Sequence, residues 1–279
     1  MSDVDISKLR EWIGKSVDDS DELSVRHARL MAATIGYDTT PIEKGAPLPP
    51  LWHWIYFLSG LPERELGHDG HPQRGGFLPP VPLPNRMWAG GRVKFLKDLP
   101  LGAEVRKRST IQSVEHKQGR SGDLVFVTVR HDVSLGSELA ISEEHDIVYK
   151  EASSGAPAKQ EATTVKPDLR ETFLASSTTL FRYSALTFNG HRIHYDQDYC
   201  RSVEGYPNLV IHGPLNATLL AGYAQRLAGT PLKSFDYRGV QPALLGNALS
   251  LNAVRKADGF SLWTGLPNEH IAMRAEAGF

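Results

Sequence analysis

Phe188-Asn189-Gly190-His191-Arg192-Ile193-His194-Tyr195-Asp196 is a polar, glycine-containing turn with two histidines and an acid. Shortly after it, Leu209-Val210-Ile211-His212-Gly213-Pro214-Leu215 is an apolar run that stops at His-Gly-Pro and launches an apolar helix. Imidazole titrates near neutral pH and moves protons. A helix N-terminus presents unpaired N–H donors at the positive end of its dipole. Together they can polarise a carbonyl and shuttle a proton beside it, which is the requirement of acyl chemistry.

Outward from this pair, the helix starting at Gly213 offers Leu215, Leu219, Leu220, Tyr223, Ala224 and Leu227 to a core. Four strand-like runs follow: Lys233 to Arg238, Asn247 to Arg255, Phe260 to Thr264 and His270 to Ala275. Before the turn come an extended segment, Glu171 to Ser177, and a helix, Thr178 to Thr187. Gln197 to Val203 reads as another short helix. Residues 151–167, EASSGAPAKQEATTVKP, are small, polar and proline-containing and read as a linker.

Upstream, Ser2 to Gly14 reads as a short amphipathic helix, and Asp21-Glu22-Leu23-Ser24 starts another that runs through Val25 to Ile35. Leu51 to Leu58 is apolar nearly all round and flanked by prolines, which favours a short buried helix over a strand. Residues 62–86 are dense in Gly, Pro and His; a functional loop and a solvated connector both fit. Strands are expected at Met87 to Leu96, Glu104 to Lys117, Asp123 to Leu135 and Glu138 to Lys150. Gln118-Gly119-Arg120-Ser121-Gly122 and Leu135-Gly136-Ser137 supply the hairpin turns. Each half thus sets helical material before about four antiparallel strands, an α+β layer solution.

Composition narrows the function. A chain of 279 residues with formal net charge -1 carries no basic footprint for nucleic acid. No apolar run reaches the length of a membrane span, and the acidic, polar N-terminus has no signal-like core. Cys200 is the only cysteine, so no internal disulfide forms and a cytoplasmic location is the simpler reading. His53, His68, Asp69 and His71 match no closed zinc spacing, so no metal is expected.

The pattern resembles the MaoC-like enoyl-thioester hydratases of the hot-dog fold. In those enzymes a D-x-N-P-[LIV]-H turn precedes a P-[IV]-x-H-G-[ML] helix start. Asn189 to His194 keeps the five-residue step to the histidine, and Leu209 to Leu215 matches the helix start. Phe181-Arg182-Tyr183-Ser184-Ala185-Leu186-Thr187-Phe188-Asn189, Asn85-Arg86-Met87-Trp88-Ala89-Gly90-Gly91 and Gly119-Arg120-Ser121-Gly122 resemble a two-lobed branch. That branch comprises the type 2 hydroxyacyl-thioester dehydratases and the mesaconyl-C4-CoA (3-methylfumaryl-CoA) hydratases. The resemblance implies a double hot-dog, two antiparallel sheets each wrapped around a central helix. Residues 1–150 would be a non-catalytic lobe forming a wall of the acyl-CoA site, and residues 168–279 the catalytic lobe.

Carried over residue by residue, the resemblance makes His194 the catalytic histidine and Gly213 the thioester-oxygen donor. Asn189 stands where simpler members have a catalytic aspartate. An amide cannot take a proton at neutral pH, so Asn189 would only hold water, or serve as a turn residue. His191 and Asp196 are candidates to share the acid–base work, though solvated turn positions suit both. His212 suits capping or packing at the helix start better than chemistry. Arg86, Arg92, Arg182 and Arg192 are candidates for a substrate carboxylate or CoA contact. No cofactor is implied, since the CoA thioester is itself the substrate. The implied reaction is reversible hydration of an α,β-unsaturated acyl-CoA, foremost mesaconyl-C4-CoA or itaconyl-CoA to citramalyl-CoA, as in itaconate degradation. A 3-hydroxyacyl-thioester dehydratase of fatty-acid synthesis, a non-catalytic acyl-CoA binder and, more weakly, a thioesterase are the alternatives. An exposed sheet edge would also suit a homodimer.

Overall fold

The computed structural model describes residues 4–37, 41–119, 122–151 and 161–279, apart from the side chain of Asn268. The first half runs α1 (Ile6–Arg10), β1 (Ser16–Glu22), α2 (Val25–Ile35), β2 (Asn85–Phe95), β3 (Glu104–Gly119), β4 (Gly122–Leu135) and β5 (Glu138–Lys150). The second runs β6 (Leu169–Phe173), α3 (Ser177–Leu186), α4 (Gln197–Tyr199), α5 (Gly213–Ala228), β7 (Ser234–Gly239), β8 (Leu249–Lys256), β9 (Gly259–Gly265) and β10 (Ile271–Gly278). The strands form one antiparallel ten-stranded sheet in the order β1-β3-β4-β5-β2-β7-β10-β9-β8-β6. Each half contributes five adjacent strands, and β2 pairs with β7 where they meet.

α5 organises the core. Every residue from Leu215 to Ala224 is buried, as a helix apolar on all sides requires. Pro214 near its start lacks an N–H that would be unpaired there anyway, and Gly229 (φ 67) ends it in left-handed backbone. One hydrophobic cluster reaches from Leu23, Met31 and Trp52 in the first half to Leu220, Phe235 and Leu262 in the second. The halves therefore share a core. A smaller cluster, with Val81, Leu83, Val127 and Tyr149, lies under the first half's long loop.

Two expectations for the first half are corrected. The short buried helix expected over Leu51 to Leu58 is present only as one 3-10 turn, Trp52–Ile55. Leu51 (φ 66) and Phe57 (φ 58) take left-handed backbone at its ends. His53 Nε2 and Trp54 Nε1 both reach the buried carboxylate of Glu143 on β5, at 2.8 and 2.7 Å, which fixes the turn. The helix of this half is α2, with Ala28 and Met31 buried. Asp21 and Glu22 do not start that helix; they end β1, and Ser24 is the N-cap. β1 is acidic and largely exposed, with no apolar alternation to betray it. It is held at the sheet edge by its register with basic β3, including Asp18 against Arg108. Residues 152–160 of the expected linker and the turn residues Arg120 and Ser121 lie outside the described residues.

Leu220 is fully buried on α5. Leu220→Ala should cost about 3 kcal/mol, seen as a lower midpoint in urea unfolding at unchanged slope. A loss under about 1 kcal/mol would mean that α5 is not enclosed as described.

Candidate active site

α3 ends at Leu186, and the chain reverses through Phe188 (φ 47) into the polar turn. The Asn189 N–H donates to the Ser184 carbonyl at 2.8 Å, and its side-chain oxygen accepts the His191 N–H at 3.0 Å. Asn189 is thus a turn-former whose amide oxygen is engaged, leaving its NH2 group as the part able to hold water. A 3-10 turn, Arg192–His194, then carries His194 into the interior, where it is 7% exposed.

His194 Nδ1 lies 2.7 Å from the Val210 carbonyl. A carbonyl only accepts, so Nδ1 carries the proton and Nε2 keeps its lone pair. Among the described residues nothing bonds Nε2. The His194 ring stacks on His212, with centroids 3.6 Å apart. His212 Nε2 is 2.8 Å from the Ser184 hydroxyl, while its buried Nδ1 has no partner among the described residues. His212 makes no side-chain cap; it packs. Burial pushes His194 down to about 4 and His212 well below its ordinary value. Both rings are neutral at pH 7, so His194 Nε2 keeps a free lone pair, while burial weakens it as a base.

Gly213 follows His212 and opens α5. No acceptor among the described residues takes its N–H. Pro214 has none to offer, so the Gly213 N–H is the donor available at the positive end of the dipole. A Cβ at Gly213 would stand 2.8 Å from Trp88 Cε3, so only glycine lets this tryptophan of the first half lie against the helix start. Trp88 in turn stacks on Tyr237, at 4.8 Å between centroids.

The long loop of the first half docks on the turn. Arg192 N–H donates to the Asp69 carbonyl at 2.9 Å and Arg192 Nη1 to the His68 carbonyl at 3.2 Å. Gly70 (φ 85) presses on Gly190 so closely that a Cβ would lie 2.0 Å from the Gly190 oxygen. This brings His71 to 4.0 Å from His191, ring to ring, and His191 packs edge-on to His194 at 5.4 Å. Asp69 accepts from the His71 N–H at 3.0 Å and pairs with its Nδ1 at 3.1 Å. Burial alone would raise the Asp69 carboxyl, but these His71 contacts hold it well below the usual carboxylate range. Burial pushes His191 down to about 2, with the neighbouring His71 and His194 rings adding to the effect. Burial also lowers His71, against the pull of Asp69.

Sequence spacing gave no hint of this cluster, because its members come from opposite halves of the chain. Ligand atoms of Asp69, His71 and His191 lie within 4.8 Å of one another, a separation that a metal ion could span. At both imidazoles the charge of Asp69 favours a cation and that of Arg86 opposes one.

The four arginines separate clearly. Arg92 is clamped by Glu144 at 2.7 Å and Asp146 at 2.8 Å. Arg192 is held by Asp196 at 2.7 Å and lies over the Tyr199 ring. Asp196 also caps α4 by accepting the Tyr199 N–H, so its part is structural. Arg182 is exposed on α3. Of the four, Arg86 is the one whose charge bears on His71 and His191.

The family described as hydroxyacyl-thioester dehydratase type 2 matches residues 51–245, a span that takes in both halves and the whole site. This chain belongs to that family. It is similar to the mesaconyl-C(4)-CoA hydratase of Chloroflexus aurantiacus, at 44% identity over 83% of each chain. Its fold is shared with a MaoC-like dehydratase from Phytophthora capsici (TM-score 0.68, 16% identity, 99% of each chain). It is shared too with a double hot-dog protein from Mycobacterium tuberculosis (TM-score 0.59, 12% identity, 96% of each chain). The fold is thus the α+β double hot-dog, and this member of the dehydratase family is a hydro-lyase.

With His194 as base, kcat/KM falls only when that ring is protonated. Its depressed value keeps the base form populated far below the ordinary 6.5. Initial rates should therefore hold steady from pH 7 to about 5 and drop near 4. A limb centred near 6.5 would mean that another, unshifted histidine carries the proton.

Proposed function

We propose that this enzyme hydrates a C5 dicarboxylic acyl-CoA, converting mesaconyl-C4-CoA to citramalyl-CoA and catalysing the reverse dehydration. One observation carries the chemistry: His194 is pinned through Nδ1 to Val210 beside the start of α5, and among the described residues neither its Nε2 nor the Gly213 N–H has a partner. The likeness to the mesaconyl-C(4)-CoA hydratase supports the choice of substrate.

The thioester oxygen accepts the Gly213 N–H. As water adds to the β-carbon, electron density moves through the α-carbon onto that oxygen, and the helix end stabilises it more in the transition state than in the ground state. One such donor is worth roughly 3 kcal/mol. The amide of Asn189 holds the water. His194 Nε2 takes one water proton as the oxygen bonds to the β-carbon, then returns it to the α-carbon as the enolate collapses. Water is thereby added across the double bond, and the imidazole ends neutral as it began. Asn189 cannot compete for the proton, so His194 carries it alone.

The experiment compares turnover of mesaconyl-C4-CoA, itaconyl-CoA and crotonyl-CoA by the purified protein, with His194→Ala alongside. Preference for the dicarboxylic thioesters is expected, with kcat reduced at least about a hundredfold in the variant. Preference for crotonyl-CoA or longer chains would instead indicate a fatty-acyl dehydratase. Binding without turnover, equal in both proteins, would leave only an acyl-CoA binder.

A further inference from the structure

We infer that Arg86 forms the subsite for the free carboxylate of the substrate, directly beside the carbon that is hydrated. This rests on the C5 dicarboxylic reading given above. In mesaconyl-C4-CoA the free carboxylate and the methyl group are both attached to the β-carbon. Its counter-ion therefore belongs next to the water held at His194, not at the far end of a pocket.

Arg86 meets that requirement from two sides. It lies on β2 two residues before Trp88, so the two side chains project from one face of the strand, roughly 7 Å apart. Trp88 touches the start of α5 at Gly213. On the other side, the Arg86 charge bears on the rings of His71 and His191, and His191 packs against His194. Arg86 is thus tied on one side to the residue that covers Gly213 and on the other, through its charge, to the rings that lead to His194.

No carboxylate among the described residues pairs with Arg86, whereas Arg92 and Arg192 are each held by one. The acid of the cluster, Asp69, is turned to the backbone and ring of His71. Across the sheet, Arg86 is in register with the buried Tyr149, whose hydroxyl feels the Arg86 charge. The subsite therefore offers a planar cationic fork beside neutral imidazoles, with the acid of the cluster already engaged by His71. That composition suits a carboxylate and leaves a monocarboxylic thioester with an unpaired cation opposite its alkyl end.

The pairing also bears on the reaction. An ionised carboxylate on the β-carbon feeds electron density to it and repels the incoming oxygen. Bidentate hydrogen bonding to Arg86 draws that density away, so the subsite assists addition as well as binding.

The test is the ratio of kcat/KM for mesaconyl-C4-CoA to that for crotonyl-CoA, measured in the wild type, Arg86→Gln, Arg86→Lys and Arg182→Gln. Arg86→Gln should lower the ratio about a hundredfold, the scale of a lost charged hydrogen-bond pair. Arg86→Lys should recover part of it by restoring charge without the fork. An unchanged ratio in Arg86→Gln, with both substrates slowed alike, would make Arg86 a support of the loop and overturn the subsite. A selective loss in Arg182→Gln alone would overturn it in favour of the exposed face of α3. If the wild type turns over mesaconyl-C4-CoA but Arg86→Gln keeps the ratio, only the subsite fails. If the wild type neither turns over nor binds mesaconyl-C4-CoA in preference to crotonyl-CoA, the substrate reading and the subsite fail together.

Discussion

The enclosure of α5 is the constraint from which the rest follows. A helix that buries every side chain from Leu215 to Ala224 leaves only its ends for other work. β7 to β10 of its own half pack along it, and β2, joined to β7, brings Trp88 over its first residue. The N-terminal turn of α5 is therefore held rigidly at the meeting of the two halves, with its dipole aimed at whatever sits there. Charge development at that point meets fixed donors that need no reorganisation, the condition under which electrostatic catalysis is most effective. Gly213 is required by the approach of Trp88, and the same lack of a side chain leaves its N–H open to a substrate oxygen.

The second feature is an array of imidazoles kept uncharged. His194 and His212 are stacked, His191 stands edge-on, and His71 lies beyond it. Each is lowered by burial, and each opposes protonation of its neighbours. Crowding thus keeps the rings neutral at pH 7. Arg86 adds to the same effect while remaining available to an anion.

Much of this was legible in the sequence, and what was not has a common cause. The long strands β2 to β5 and the helix from Gly213 showed through alternation, β-branched runs and turn residues, all local signals. The turn and helix start lie within thirty residues of each other, so their partnership could be read from spacing. β1 was missed because its side chains are mostly exposed and its pairing depends on the remote basic strand β3. The segment after Pro50 looked helical, yet His53 and Trp54 are drawn to Glu143, some ninety residues away. Asp69 and His71 escaped notice as partners of the catalytic turn because a long loop delivers them. The sequence placed four arginines on equal footing; only the acids that hold Arg92 and Arg192 set Arg86 apart.

The buried carboxylate of Glu143 makes the stability of the fold depend on pH. It is 1% exposed and bound by His53, Trp54 and His145. Burial by itself would raise its proton affinity, but the rings of His145 and His53 overcome this and hold it well below the ordinary 4.5. A group depressed in the fold contributes stability above its unfolded value and loses that contribution as pH falls through the folded one. For Glu143 the loss therefore begins below about 4.5. The buried neutral histidines act earlier: His131, pushed down to about 3, and His194, pushed down to about 4, favour the unfolded chain once pH drops below 6.5. Keeping these histidines neutral therefore costs the fold stability in acid before His194 itself is protonated in the folded chain.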